Sequence, residues 1–126
     1  MLTYKKYPKK VGAVCHEDTE ILSGLSGVHA DDAAGNAYAD CSVGFNNAMD
    51  QAINIGTYGL VSLRAPLNCW NKAQVVAKGL ELKVPYELTW SCYDGGEKAC
   101  GECGTCIDRK AAFEANGVKD PIEYVK

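Results

Sequence analysis

Cys92-Tyr93-Asp94-Gly95-Gly96-Glu97-Lys98-Ala99-Cys100-Gly101-Glu102-Cys103-Gly104-Thr105-Cys106 is the stretch that decides the reading of this chain. Its four cysteines fall at the spacing C-x7-C-x2-C-x2-C. A tetrahedral zinc ion takes four thiolate or imidazole ligands, each sulfur at about 2.3 Å. Cysteines two residues apart can turn back on one ion, and Gly95, Gly96, Gly101 and Gly104 permit those turns. The pattern predicts a structural Zn2+ site built from Cys92, Cys100, Cys103 and Cys106. Four protein ligands close such a site, so the ion holds the fold and does not activate water. Two other readings stay open. One is a pair of disulfides in a secreted domain, which the polar run Thr3 to Lys10 after Met1 and the odd total of seven cysteines disfavour. The other is a redox C-x-x-C at Cys103 and Cys106, which calls for a preceding strand and a following helix.

The rest of the composition sets bounds. A chain of 126 residues, 47% apolar and 23% charged, reads as one globular domain. No apolar run reaches the roughly 20 residues of a membrane span. The net charge of −3, with a basic run only at Lys5, Lys6, Lys9 and Lys10, argues against a nucleic-acid partner. Seven cysteines without a signal peptide suggest a reducing compartment, hence the cytoplasm.

Upstream of the knuckle the pattern is that of an α/β protein. Residues 1–10 read as a basic arm, and Val11 to Cys15 as a short strand. Leu25 to His29 reads as a strand running into a loop rich in acids, glycine and asparagine, His29 to Cys41. In open α/β sheets, ligands bind after strands at such places. Asp40 or Ser42 is set to cap a helix whose buried face is Phe45, Ala48, Met49, Ala52 and Ile53, with Asn54 and Gly56 at its end. A strand follows at Leu60 to Ala65, stopped by Pro66. Asn71 and Gln74 form a capping box for a helix with the stripe Val75, Val76, Gly79 and Leu80, where Gly79 admits a close neighbour. Lys72 sits in its first turn, where placement alone favours a solvated lysine, although free N–H groups there attract phosphate. Tyr86 to Trp90 reads as an extended approach to the knuckle. Thr105 is placed to cap a last helix, which Asn116-Gly117 stops, and Asp120-Pro121 opens an irregular tail. Cys15 and Cys69 read as small buried side chains.

Three runs together resemble one enzyme family. Pro85 to Lys98 leading into Cys100 to Arg109, Gly27 to Tyr38 with Asp40-Cys41, and Ala65-Pro66-Leu67 followed by Trp70-Asn71-Lys72 and Gly79 to Leu82 are similar to the 7-cyano-7-deazaguanine synthases of queuosine biosynthesis. The resemblance spans residues 25–126 and leaves residues 1–24 unmatched. It implies a PP-loop (adenine nucleotide alpha-hydrolase-like) parallel sheet, here its C-terminal half, with the four-cysteine zinc knuckle at residues 92–106. It implies a ligase forming C–N bonds: 7-carboxy-7-deazaguanine and ammonia become the nitrile at the expense of ATP with Mg2+. It assigns substrate or ATP contacts to His29, Asp31, Asp32, Tyr38 and Asp40, a phosphate contact to Lys72, and metal ligation to the four knuckle cysteines. Arg109 pairs with an acid beside the knuckle or with a phosphate, and neither is favoured. The family's phosphate-binding S-G-G-x-D-S loop does not occur in this sequence. Half a sheet would also leave an exposed edge strand. The expectation is therefore a truncated or split synthase, acting as a homodimer or with a partner chain that carries the loop, with neither nucleic acid nor membrane as a partner. The alternative is a zinc-stabilised, non-catalytic deazapurine-binding module or a gene fragment.

Overall fold

The computed structural model describes residues 14–15, 22–34 and 37–126. The basic arm expected at residues 1–10 and most of the strand expected at Val11 to Cys15 lie outside them. The chain divides into two compact units, residues 1–69 and 70–126, each taken by itself below.

The first unit is built on three strands, β1 (Val14–Cys15), β2 (Leu22–Leu25) and β3 (Val61–Arg64), in the order β1-β2-β3. The sheet is mixed, with the expected parallel pairing between β2 and β3 and an antiparallel pair at β1. β1 pairs antiparallel with β2, and β2 pairs parallel with β3, Leu22 opposite Val61 and Leu25 opposite Arg64. The crossover between the parallel strands carries helix α1 (Ala30–Ala33), a 3-10 turn at Ala39–Cys41 and helix α2 (Val43–Gly56). The strand expected at Leu25 to His29 lies three residues earlier. Its partner dictates the shift. Hydrogen bonds from Leu22 N to Leu60 O at 2.9 Å and from Ser26 N to Arg64 O at 2.8 Å bracket the pairing, and His29 is already the N-cap of α1.

α2 begins as expected, with Ser42 Oγ accepting from Phe45 N at 3.2 Å. Its buried face is not the expected one. Phe45 and Met49 are 43% and 38% exposed, Ala48 and Ala52 are not buried, and Asn46 is the buried residue. The cause is the edge of β3. Its inward bonds go to β2, which leaves the outward groups of Val61 and Leu63 unpaired. Asp50 Oδ1 accepts from Leu63 N at 2.7 Å, Thr57 Oγ1 accepts from Val61 N at 3.1 Å, and Asn54 Nδ2 donates to Val61 O at 3.2 Å. A buried backbone group left without a partner is costly, so a polar stripe turns inward and the apolar one outward. The edge that half a sheet was expected to leave open is covered, at β3, by these side chains.

The second unit is a helix pair with a knuckle. Helix α3 (Lys72–Glu81) opens on the predicted capping box: Gln74 N donates to Asn71 Oδ1 at 2.8 Å and Asn71 N to Gln74 Oε1 at 2.9 Å. Val76 and Gly79 are buried, whereas Leu80, expected inside, is 38% exposed. Helix α4 (Gly104–Glu114) supplies Ala112 and Phe113 to the same cluster, and the Tyr86 ring stands edge-on to Phe113 at 5.0 Å. A Cβ on Gly79 would run into the Tyr86 ring, which is the close approach the sequence anticipated.

Two further expectations are corrected here. Tyr86–Leu88 is a 3-10 turn and not an extended approach, closed by Thr89 N to Tyr86 O at 3.1 Å. The N-cap of α4 is Cys103 and not Thr105, because Cys103 O already accepts from Cys106 N and Ile107 N, both at 3.0 Å. The tail after Asp120 is irregular as expected, pinned by one isolated parallel bridge between Ala99 and Tyr124, with Ala99 N bonded to Glu123 O and Val125 N to Ala99 O. α4 ends at Glu114, just ahead of the expected Asn116-Gly117 stop, where Gly117 takes φ +68°.

Candidate metal centre and binding loop

The knuckle brings four sulfurs together. The Sγ atoms of Cys92, Cys100, Cys103 and Cys106 all lie within 4.8 Å of one another, and all four are free thiols. Cys100 Sγ and Cys106 Sγ are 3.9 Å apart. Four sulfurs at about 2.3 Å from one tetrahedral ion would stand about 3.8 Å apart, and a disulfide would need about 2.05 Å. The donor set therefore fits a thiophilic dication such as zinc. Cys103 does open a helix, as a redox C-x-x-C would. Yet no described strand leads into it, and two further sulfurs complete a four-donor cluster.

The backbone is turned toward these sulfurs. Cys100 N donates to Cys92 Sγ at 3.4 Å, and Glu102 N and Cys103 N donate to Cys100 Sγ at 3.4 and 3.3 Å. Gly101, with φ +83°, makes the turn that aims the last two. Thr105, free of the capping role, places its hydroxyl 2.8 Å from Ser91 O and 3.2 Å from Cys103 Sγ, and its one proton serves one acceptor or the other. The local field sorts the thiols. The Thr105 hydroxyl, with backbone N–H groups, pulls Cys103 down to about 6, and the Cys100 N–H lowers Cys92. The hydrogen bond to Asp94 pushes Cys100 up to about 12, and burial raises Cys106. A shared dication deprotonates coordinating thiols outright, so binding releases protons.

Beneath the sulfurs lies a buried ion pair. Arg109 Nε donates to Asp120 Oδ2 at 2.6 Å and Nη2 to Oδ1 at 3.0 Å, with both side chains under 10% exposed. This settles the partner of Arg109 as an acid beside the knuckle. The Arg109 guanidinium also lies 5.4 Å from the Phe113 ring centre, against the core cluster.

The expected binding residues of the first unit occupy the loop after β2. His29 Nε2 is 3.3 Å from Asp32 Oδ2, and its Nδ1 is buried without a partner among the described residues. Tyr38 N donates to Asp32 O at 3.1 Å, and Asn46 Nδ2 to Asp40 O at 3.2 Å. The loop thus brings His29, Asp32 and Tyr38 into one folded-back segment. Asp32 and Asp40 also reach Cys41, whose half-buried thiol is raised first by burial and then by those two charges. Asp31 is exposed and Tyr38 is 47% exposed. Lys72 is the first residue of α3 and belongs to the second unit. Cys69, expected buried, is exposed.

Sequence reasoning missed a polar cleft of about 420 Å3 in the first unit, lined by Asn46, Asn47, Asp50, Arg64 and Asn68 among others. It opens at the carboxyl end of β3, where parallel strands present ligands. The only signal was the polar repeat Asn46, Asp50, Asn54 at helical spacing. Asp120 was missed as well, because nothing periodic marks it.

Comparison with known proteins adds a lineage. The family described as queuosine biosynthesis protein QueC matches residues 10–117. The chain is 50% identical over 98 residues to the 7-cyano-7-deazaguanine synthase of Caldicellulosiruptor bescii, which is 78% of this chain and 43% of that protein. It is 47% identical over 104 residues to that of Thermoplasma acidophilum, 79% of this chain and again 43% of the relative. Against that of Archaeoglobus fulgidus it is 51% identical over 86 residues, 68% of this chain and 36% of the relative. The chain spans less than half the length of the curated relatives it matches.

Proposed function

The chain belongs to the family of queuosine biosynthesis protein QueC, and from that premise we propose that it works in the ATP-dependent conversion of 7-carboxy-7-deazaguanine and ammonia to 7-cyano-7-deazaguanine. A carboxylate is a poor electrophile. Transfer of AMP from ATP to the carboxylate releases pyrophosphate and gives an acyl adenylate. Ammonia then displaces AMP to form the amide, and a second adenylation, on the amide oxygen, lets AMP leave as the nitrile forms. In this reading the enzyme is a ligase forming C–N bonds.

The observation that carries the reading is identity near 50% over 98 residues to named synthases, a match long enough to draw on both units. The chemistry of the two regions supports it. In the loop after β2, His29, Asp31, Asp32, Tyr38 and Asp40 offer carboxylates for purine N–H groups or Mg2+ and a ring for stacking. Lys72 heads a helix whose free N–H groups suit phosphate. The four cysteines hold a structural zinc that supplies folding energy and no chemistry. In this proposal the ATP phosphates are held by an S-G-G-x-D-S loop, which these 126 residues do not contain, and the functional unit is a homodimer or an assembly with a partner chain that carries the loop. A zinc-stabilised, non-catalytic deazapurine-binding module is the second reading, in which the loop after β2 binds the base and the four-cysteine cluster holds the fold.

Equilibrium dialysis of the zinc-loaded chain against 7-carboxy-7-deazaguanine tests the shared part of both readings. Saturable binding is expected, weakened in Asp32→Asn and Asp40→Asn. Retention no better than that of an unrelated protein would sink both.

A further inference from the structure

Three separate stretches of chain deliver the four sulfurs. Residues 86–92 end at Cys92, the Ala99 bridge runs into Cys100, and the start of α4 carries Cys103 and Cys106. One buried ion pair links all three, the middle one by way of the tail that closes on Ala99. Arg109 lies on α4, three residues beyond Cys106. Its Nη1 donates to Thr89 Oγ1 at 2.8 Å and its Nη2 to Tyr86 O at 3.1 Å, which ties α4 to the first stretch. Its Nε and Nη2 bind Asp120, and Asp120 governs the second stretch. Asp120 accepts from Ile122 N at 3.2 Å and from the Tyr124 hydroxyl at 2.6 Å. Those bonds set the tail so that Glu123 O and Val125 N close on Ala99, the residue before Cys100. Four donors therefore converge on one carboxylate; the guanidinium ties α4 to the Tyr86–Thr89 stretch directly, and the carboxylate sets the tail that closes on Ala99.

Burying an ion pair is a poor way to gain stability, because desolvation offsets the attraction, and apolar replacements often do as well. What the pair supplies is direction. A planar fork against a carboxylate fixes angles as well as distances. Outer partners of this kind orient metal ligands and set how tightly the ion is held. We propose that Arg109 and Asp120 are positioning residues of the metal centre. They hold the three ligand-bearing stretches in register, so that the thiols are set for a tetrahedral thiophilic dication, and they slow its release. The proposal rests on the cysteines being the ligands, and Cys106→Ser tests that separately: zinc held equally well by that variant overturns the ligand assignment and this inference with it.

The test compares zinc-loaded wild type with Asp120→Asn, Tyr124→Phe and Glu123→Gln. Glu123 lies in the same tail but pairs with Lys98 at 2.7 Å on the surface, so its variant is the control. Zinc transfer to excess pyridylazoresorcinol gives the release rate, and the cobalt-substituted proteins report tetrahedral geometry through their d–d bands. Asp120→Asn is expected to release zinc about 10- to 100-fold faster and to shift the cobalt bands. Tyr124→Phe moves the same way by less, and Glu123→Gln matches wild type. A folded Asp120→Asn with wild-type release and wild-type cobalt bands overturns the proposal. So does a variant of lower thermal stability whose zinc affinity and cobalt spectrum are unchanged, since that marks a purely structural pair. Where Asp120→Asn fails to fold, Tyr124→Phe decides, and release at the wild-type rate overturns the inference.

Discussion

Asp50 Oδ1 accepts the backbone N–H of Leu63 at 2.7 Å, so a helix side chain stands where a neighbouring strand would otherwise donate and accept. Asn54 and Thr57 do the same for Val61. Removing the acceptor leaves a part-buried donor unpaired. Asp50→Ala should therefore cost about 1–3 kcal/mol, read as a lower urea midpoint, and Asp50→Asn, which keeps an acceptor oxygen, should cost less. Equal midpoints for Asp50→Ala and wild type would show that the edge of β3 does not need this bond.

Gly79 is occupied from outside by the Tyr86 ring. Gly79→Ala should destabilise the second unit by about 1–3 kcal/mol through overpacking. The defect should shrink on adding Tyr86→Phe, which removes the oxygen nearest the new methyl group. A neutral Gly79→Ala, judged by thermal melting, would contradict the packing described.

Loss of one sulfur should empty the knuckle. Structural zinc contributes on the order of 10–16 kcal/mol of apparent binding free energy at neutral pH, at least as much as a domain's net stability. Cys106→Ser should purify with well under one equivalent of zinc by elemental analysis, and near-UV circular dichroism should show lost tertiary signal. Wild-type protein treated with a strong chelator should reproduce that spectrum.

The Arg109–Asp120 pair carries a pH signature. Burial by itself would raise the Asp120 carboxyl. The Arg109 guanidinium, with the donors Tyr124 and Ile122, outweighs burial and holds it below its ordinary value of 3.8. A depressed folded pKa gives stability that is full above the unfolded pKa and is lost as pH falls through the folded one. The gap between the denaturant midpoints of wild type and Asp120→Asn should thus be constant above about pH 4 and close below it. A gap unchanged down to the lowest pH measured would contradict the assignment.

Much of this was readable from residue order. The cysteine spacing foretold a four-donor cluster, because a short loop between ligands leaves little freedom. The Asn71–Gln74 box and the Ser42 cap were readable because capping is local. α2 was misread for a physical reason. Phe45 and Met49 mark an apolar stripe at helical spacing, but Asn46, Asp50 and Asn54 mark a polar one at the same period. Only the pairing of β3 with β2 decides which of the two turns inward. The shift of β2 has the same origin, since a strand's limits are set by its partner. Asp120 could not be found by periodicity at all, because its burial follows from one guanidinium reaching it across α4.

The most direct measurement is mass spectrometry of the product after incubating the zinc-loaded chain with 7-carboxy-7-deazaguanine, Mg-ATP and 15N-labelled ammonium. It is run without and with a second chain bearing the S-G-G-x-D-S loop of a synthase. The account predicts 7-cyano-7-deazaguanine carrying one 15N atom in the mixture and none from the chain by itself. Nitrile from the chain by itself would contradict the assignment of the phosphate loop to a second chain, and no nitrile in either reaction would contradict the synthase reading.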